Sequence, residues 1–446
     1  MEIKLPDEVR YIIEILNKNG YEAYIVGGCV RDCLLNKEPK DWDITTNALP
    51  EIIIKLFKKT IPTGLKHGTV TVLLNNNQFE VTTYRIDGEY LDNRHPSEVT
   101  FTDSLTEDLS RRDFTINAMA YNDTIGLVDK FNGKEDLKNK IISAVGNADA
   151  RFNEDALREL RAVRFSSQLD FEISRNTFDS IIKNSELIKK ISAERIKDEL
   201  CKILMTDNPS KGIRALNEAK LLNYILPELT LCIDFNQHNP HHDKDVFEHI
   251  LSVLDNTPKD LTLRLAALFH DIGKPKCFSL DNKGIGHFYG HNYISAELSE
   301  EILKRLKFDN DTIKKVYILT KEHMSHFDKV TSLSVKTFIN RTGKENLDLL
   351  FELIYADIKG HKPPYDFEKV DKLKEKTYKI LEEKLPLCIK DLDVTGYDLM
   401  EIGYKKGKEL GNILNKLLNV VLNNPSLNTK KDLLKIAEKD LKSSQV

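Results

Sequence analysis

Hydrophobic periodicity changes character near residue 150 and does not change back. Before that point an amphipathic helix over about 6–19 is followed by an apolar strand, YEAYIVGG, and by short β-rich runs such as GTVTVLL and FEVTTYRI. Period-two and period-3.6 patterns within one stretch predict a domain of α/β or α+β type. Beyond it, apolar residues recur at three- and four-residue spacing in DALRELRAVRF, AERIKDELCKIL and GIRALNEAKLLNYI, the pattern of helices that bury one face. A chain of 446 residues is too long for one ordinary core, and one domain per roughly 150 residues suggests about three units.

The Asn- and Pro-containing stretch LCIDFNQHNPHHDKD, about 231–245, reads as a linker between helical regions, and a Pro-interrupted segment at His361–Tyr365 marks the next edge. The expected boundaries are 1–148, 149–235, 236–365 and 366–446. With 66 Lys and Arg against 70 Asp and Glu, nucleic-acid contact must use local patches. One such patch is the tail from Lys405 onward, where nine Lys face four acidic residues, although a solvated helix face explains it equally well. The six cysteines form no CxxC pair and the start MEIKLPDEVR has no signal-peptide core, which predicts a cytoplasmic protein. No apolar run approaches the roughly 18 residues that span a bilayer.

Chemistry concentrates first in YIVGGCVRDCLLNKEPKDWDITT. Asp41 and Asp43 are one residue apart and would share a face of an extended strand, where two carboxylates are costly unless a cation such as Mg²⁺ lies between them. Gly27 and Gly28 allow backbone N–H groups to approach a phosphate, and Arg31 can neutralise it. Glu80, on another expected strand, is either a third carboxylate or an exposed strand residue. Asp155 and Arg158 are expected at i and i+3 of one helix, presenting an acceptor beside a donor array. Cytosine and adenine offer an exocyclic amine next to a ring-nitrogen acceptor, so such a pair would admit C and A and reject U and G. Arg161 and Arg164 drift off that face and suit triphosphate or RNA.

GGCVRD followed by DWDITTNALP resembles the signature of DNA-polymerase-beta-like nucleotidyltransferases, specifically the bacterial class II tRNA nucleotidyltransferase and poly(A) polymerase family. RRDFTINAMAY at 111–121 is similar to that family's head motif, GNADARFNEDALRELRAVRF to its base-reading helix, and GYDLMEIGYKKGKELGNIL to its C-terminal arm. The resemblance implies a polymerase-beta-like head with a mixed sheet (1–148), an all-α neck (149–235) and a helical tail (366–446). It implies two-metal transfer of C, C and A from CTP and ATP to tRNA, with Mg²⁺ on Asp41 and Asp43. Gly28, Arg31, Arg112, Asp155, Arg158, Arg161 and Arg164 would bind nucleotide. The turn-rich segment 85–110 corresponds to a flexible loop that the family's A-adding members keep.

Ten of the 12 histidines fall between His238 and His361, too dense for chance. His249, His270 with Asp271, His323 and Asp357 lie in helical pattern while His291 does not, so several helices could converge on one divalent metal. The His270-Asp271 pair before Gly273-Lys274 resembles the HD-domain phosphohydrolases. That resemblance implies ligands at His249, His270, Asp271 and Asp357 in 236–365, a transition metal (Mn, Ni or Co) and hydrolysis of phosphate esters. His291 and His323 would serve a second metal or a phosphate. Rival readings are a poly(A) polymerase, which shares the head motifs, and a metal phosphohydrolase with the head as an RNA-docking module, which the intact Asp41 and Asp43 oppose.

Overall fold

A computed structural model describes residues 3–88, 99–238, 244–325 and 330–443. It divides into two compact units, Met1–Thr230 with Arg305–Lys307, and Leu231–Lys304 with Phe308–Val446.

The first unit opens with the helix Asp7–Lys18, which buries Val9, Ile12, Ile13 and Leu16. Its sheet is mixed, as expected. Strands β1 (Ala23–Val26), β2 (Ile44–Thr46), β3 (Thr60–Gly64), β4 (Thr69–Leu74) and β5 (Asn77–Thr83) form it with two later strands; β6 (Arg85–Asp87) and β7 (Val99–Phe101) pair separately, and β8 (Met119–Asn122) and β9 (Gly126–Asp129) complete the order β3-β4-β5-β2-β1-β8-β9. Only the β2–β5 pairing among these seven is parallel. Central β1 and β2 are buried along their whole length, which explains the unbroken apolar run AYIV. Asn75 and Asn76, both with positive φ, make the two-residue turn between β4 and β5, a conformation in which Asn is tolerated.

Two local expectations are corrected. Asp41 and Asp43 do not lie on a strand, because β2 starts at Ile44; they occupy the segment that leads into it, where Asp43 C=O accepts from Val26 N–H at 3.0 Å. Asp155 and Arg158 do not share a helix either. One helix is Ala148–Glu154 and the next Leu157–Leu169, with Asp155 extended between them and its carboxylate accepting from Leu157 N–H at 3.1 Å. A short polar side chain that satisfies a free helix-start donor breaks a periodicity that would otherwise run on. The flanks of the expected loop at 85–110 are regular, with β6 and β7 paired and a helix at Leu105–Ser110; residues 89–98 at its centre lie outside the described residues.

Helix Leu157–Leu169 carries a buried fault. Glu159 is fully buried, neither carboxylate oxygen has a hydrogen-bond partner, and burial pushes its pKa up to about 9. The folded chain therefore binds a proton that the unfolded chain releases, and this group's contribution to stability, whole below its ordinary pKa, is lost as pH rises towards 9. Glu159→Met should raise the melting temperature, more at pH 8 than at pH 5. Equal shifts at both pH values would contradict the assignment.

In the second unit the helices Val246–Asp255, Leu261–Phe269, Asn310–Glu322 and Leu347–Gly360 pack together. Three of them start on aspartate caps, Asp245, Asp260 and Asp309, each accepting a backbone N–H from the first turn. The one sheet among this unit's described residues pairs Ser279–Leu280 with Gly286–His287. In the tail, Lys430 pairs with Asp398 at 2.5 Å and Lys416 pairs with Asp440. No described helix is long and apolar enough to cross a membrane.

Candidate active sites

A cavity of about 600 Å³ in the first unit gathers Gly27, Gly28, Arg31, Asp41, Asp43, Arg112, Asp155, Arg158, Arg161 and Arg164. Every head and neck residue singled out from the sequence lines it except Glu80. Gly27 holds φ 81°, which favours glycine whatever the space, and a Cβ there would sit 3.2 Å from Arg112 Nη1. Asp43 is accessible at the cavity floor, yet the protein around it displaces water and raises its carboxyl pKa; Arg112 opposes that shift, while Glu80 and Asp41 add to it. Glu80 is exposed on β5, so both readings of it stand.

Most of the arginines are engaged by the protein itself. Arg31 donates to Asn117 Oδ1 at 2.8 Å and to Asp32 Oδ1 at 2.8 Å, and lies over the Phe165 ring. Arg161 Nε and Nη2 both donate to Asp113 Oδ2, at 2.8 and 2.6 Å. Burial works against the charge on Asp113, but Arg161 and Asn117 hold its pKa down at about 2. Arg164 donates to Glu199 and stacks 4.0 Å from the Phe165 centroid. Arg158 donates to Glu154 Oε2 at 2.7 Å and to Arg111 C=O at 2.9 Å. Asp155 is gripped by Arg195, with Nη1 to Oδ1 at 3.2 Å and Nη2 to Oδ2 at 2.8 Å. Arg195, from helix Ala193–Leu204, has no local sequence signal connecting it to Asp155.

The second unit brings His249, His270, Asp271, His291, His323 and Asp357 together. Asp271 sits between two pairs of imidazoles. Its Oδ2 faces His249 Nε2 at 3.4 Å and His270 Nε2 at 3.3 Å, and its Oδ1 faces His291 Nε2 at 3.1 Å and His323 Nε2 at 3.8 Å. Asp357 Oδ1 lies 3.0 Å from His249 Nε2. His270, His291 and His323 each point Nδ1 at a backbone carbonyl, of Ala267, Phe288 and Thr320, at 2.8, 2.8 and 2.7 Å. A carbonyl only accepts, so each Nδ1 carries the proton and each Nε2 lone pair faces the centre.

Facing lone pairs repel, and the Nε2 atoms of His291 and His323 meet at 3.4 Å, while His249 Nε2 lies 3.3 Å from His270 Nε2 and 3.0 Å from Asp357 Oδ1. Burial disfavours charge on His270, yet Asp271 and Asp357 raise its pKa, while burial takes His323 down to about 3. Two buried carboxylates thus face four buried imidazoles with only Lys274, among the described residues, as a fixed positive charge, and this mixture of imidazole nitrogen and carboxylate oxygen is a donor set that suits a divalent cation. His249, His270 and Asp271 form one group of ligand atoms within 4.8 Å of one another, and Asp271, His291 and His323 form another.

Two features escaped the sequence, and a third, Lys274, stood in its motif without a role. His291 begins the helix His291–Arg305 rather than standing outside helical pattern. Lys274, one turn after Asp271, reaches its Oδ2 at 2.7 Å, a spacing that HDIGK displays. His361 lies 3.5 Å from Asp357 and stacks on His249. His241, His242 and His326 lie outside the described residues.

Comparison with known proteins agrees with the geometry. Residues 23–143 match a family described as the poly A polymerase head domain, 170–232 a probable RNA and SrmB-binding site of polymerase A, and 289–437 a putative domain 2 of tRNA nucleotidyltransferase. A CCA-adding enzyme of Ligilactobacillus salivarius is 36% identical over 442 residues, 98% of this chain and 97% of that one. The chain belongs to the CCA-adding enzyme family. A second relative, from Lactobacillus helveticus, is 36% identical over 94% of both chains. In three dimensions the Bacillus stearothermophilus CCA-adding enzyme, solved in complex with CTP, is 28% identical and covers 99% of each chain with a TM-score of 0.71. The polymerase-beta-like head with its mixed sheet is thereby established, as is membership of a nucleotidyltransferase family.

Proposed function

We propose that this chain adds C, C and A to tRNA 3′ ends from CTP and ATP. The observation that carries the reading is the single cavity that joins Asp41 and Asp43 to Gly27, Gly28 and the arginines on one side and to Asp155 and Arg158 on the other. A triphosphate would lie against Gly28, Arg31 and Arg112, and its base against Asp155 and Arg158. Arg195 uses one acceptor position on each Asp155 oxygen, so the carboxylate retains capacity for an exocyclic amine. Two Mg²⁺ ions on Asp41 and Asp43 would lower the pKa of the attacking 3′-hydroxyl and stabilise departing pyrophosphate. Arg161 and Arg164, fixed on Asp113 and Glu199, shape the wall behind the nucleotide.

Incubating the protein with tRNA that lacks its last three, two or one nucleotides, Mg²⁺ and each labelled NTP tests this. The expected ladder stops after C, C and A; a ladder of A alone would favour poly(A) addition. Base reading is tested by Asp155→Ala, which should lower the ratio of CTP to UTP incorporation more than it weakens triphosphate binding. An unchanged ratio would refute it.

The second unit supports a separate reading, that residues 236–365 form an HD-type domain hydrolysing phosphate esters such as 2′,3′-cyclic phosphates at RNA ends. The ligands would be His249, His270, Asp271 and Asp357, and His291 and His323 would serve a second cation or a phosphate. Imidazole mixed with carboxylate favours Mn²⁺, Ni²⁺ or Co²⁺, and such an ion supplies an activated water and a clamp on the ester. Lys274 and a neighbouring cavity of about 360 Å³ would receive the substrate. The partition into head (1–148), neck (149–235), HD domain (236–365) and arm (366–446) belongs to the same proposal.

A further inference from the structure

Asp108 is fully buried on the short helix Leu105–Ser110, at the end of the turn-rich segment 85–110, and has no role of its own in the reading above. Its Oδ1 accepts from Arg111 Nε at 3.0 Å and Nη2 at 2.6 Å; its Oδ2 accepts from Arg112 Nη2 at 3.2 Å and Thr45 Oγ1 at 3.2 Å. Thr45 belongs to β2, two residues beyond Asp43, so one carboxylate ties both arginines to the strand that follows the acidic pair. Asp87 of β6 meets Arg111 from the other side, Nη1 to Oδ2 at 3.8 Å. Arg112 has no comparable second anchor among the described residues. Its Nε is buried without a hydrogen-bond partner, its Nη1 lies against Gly27, and it shares the cavity with Asp41 and Asp43.

A guanidinium in that position can stay on Asp108 or turn to the acidic pair in its own cavity, and an Arg–Asp43 pair would occupy oxygens that a divalent cation needs. We propose that Asp108 is a positioning residue that holds Arg112 back from Asp43, keeping the acidic pair available to a cation and Arg112 Nε available to a triphosphate oxygen. The inference rests on the nucleotidyltransferase reading of this cavity and adds a residue to it. Charge makes the arrangement necessary: Asp108 offsets Arg111 and Arg112 in a place where water cannot, and without it Arg112 would be left to the carboxylates that share its cavity, Asp41 and Asp43 among them.

Trp42 lies between Asp41 and Asp43 and is the chain's single tryptophan, so its quenching by Mn²⁺ reads cation binding at this site without any turnover. Quenching titrations in the absence of nucleotide should show Asp108→Asn binding Mn²⁺ about tenfold more weakly or worse than the parent protein. Asp108→Asn/Arg112→Gln, with the freed guanidinium gone, should return to within about threefold of the parent, a recovery that general damage to the fold would not produce. Wild-type affinity in Asp108→Asn, or equal weakness in the single and double variants, overturns the proposal. Should Asp108→Asn fail to fold, Thr45→Val removes one partner of Oδ2 at constant shape and should weaken Mn²⁺ binding about twofold or more; no change there overturns it equally. Loss of quenching in Asp41→Ala is the control that the signal comes from the acidic pair. Quenching unaffected by Asp41→Ala would instead remove the metal reading of the cavity on which the proposal rests.

Discussion

Asp43→Ala is expected to reduce nucleotide incorporation by several orders of magnitude while the protein keeps its melting temperature or gains a little. The two halves of this result have one cause. Asp43 sits where surrounding protein has displaced water, and its neighbours Asp41 and Glu80 disfavour its charge, so the folded chain retains it at a cost. Removing it relieves repulsion, and it also removes half of the acidic pair whose oxygens suit hard cations such as Mg²⁺. Activity and thermal unfolding measured on one preparation separate the halves. Near wild-type incorporation by Asp43→Ala or Asp41→Ala would show that the metal assignment in the head is wrong.

His270→Ala and Asp271→Ala are expected to abolish hydrolysis of 2′,3′-cyclic AMP while both variants still add nucleotides to tRNA. Asp271 has the larger structural burden, because its two oxygens serve different imidazole pairs and its Oδ2 also meets Lys274. Without it, Lys274 and four histidines share only Asp357 among the carboxylates described in this cluster, so Asp271→Ala should also melt earlier than His270→Ala. Mn²⁺, Ni²⁺ or Co²⁺ should stabilise the parent protein by about 2.7 kcal/mol at a hundredfold excess over its dissociation constant, and neither variant to that extent. If no ester were hydrolysed with any of these metals and both variants lost nucleotide addition, the cluster would be an element that positions RNA.

Much of this could be read before folding. GGCVRD and DWD identify the head because a nucleotidyl-transfer site needs glycine where Gly27 takes positive φ against Arg112, and carboxylates close together in the chain. HD followed by GK identifies the second site for a related reason: His270, Asp271 and Lys274 are neighbours in one turn, so their convergence is local. Where the reading failed, a backbone choice lay between two near-equal options. Periodicity ran one helix through Asp155, but a side chain that accepts from Leu157 N–H made a break more favourable. Extended character was assigned to Asp41 and Asp43, but pairing with β1 and β5 begins only at Ile44.

Residue type and short spacing alone therefore determined that an α/β or α+β domain precedes a helical remainder and which acidic and histidine residues carry the chemistry, while the mixed sheet of the head came from the family resemblance of GGCVRD and DWDITTNALP. Tertiary structure alone decided which charges meet. Arg195 reaches Asp155 across 40 residues, Arg161 reaches Asp113 across 48, and His291 and His323 reach Asp271 from two further helices. No sequence pattern encodes such pairings, because a charged side chain finds its partner through the packing of whole elements. Burial then sets the strength of each pair by removing the water that would otherwise screen it.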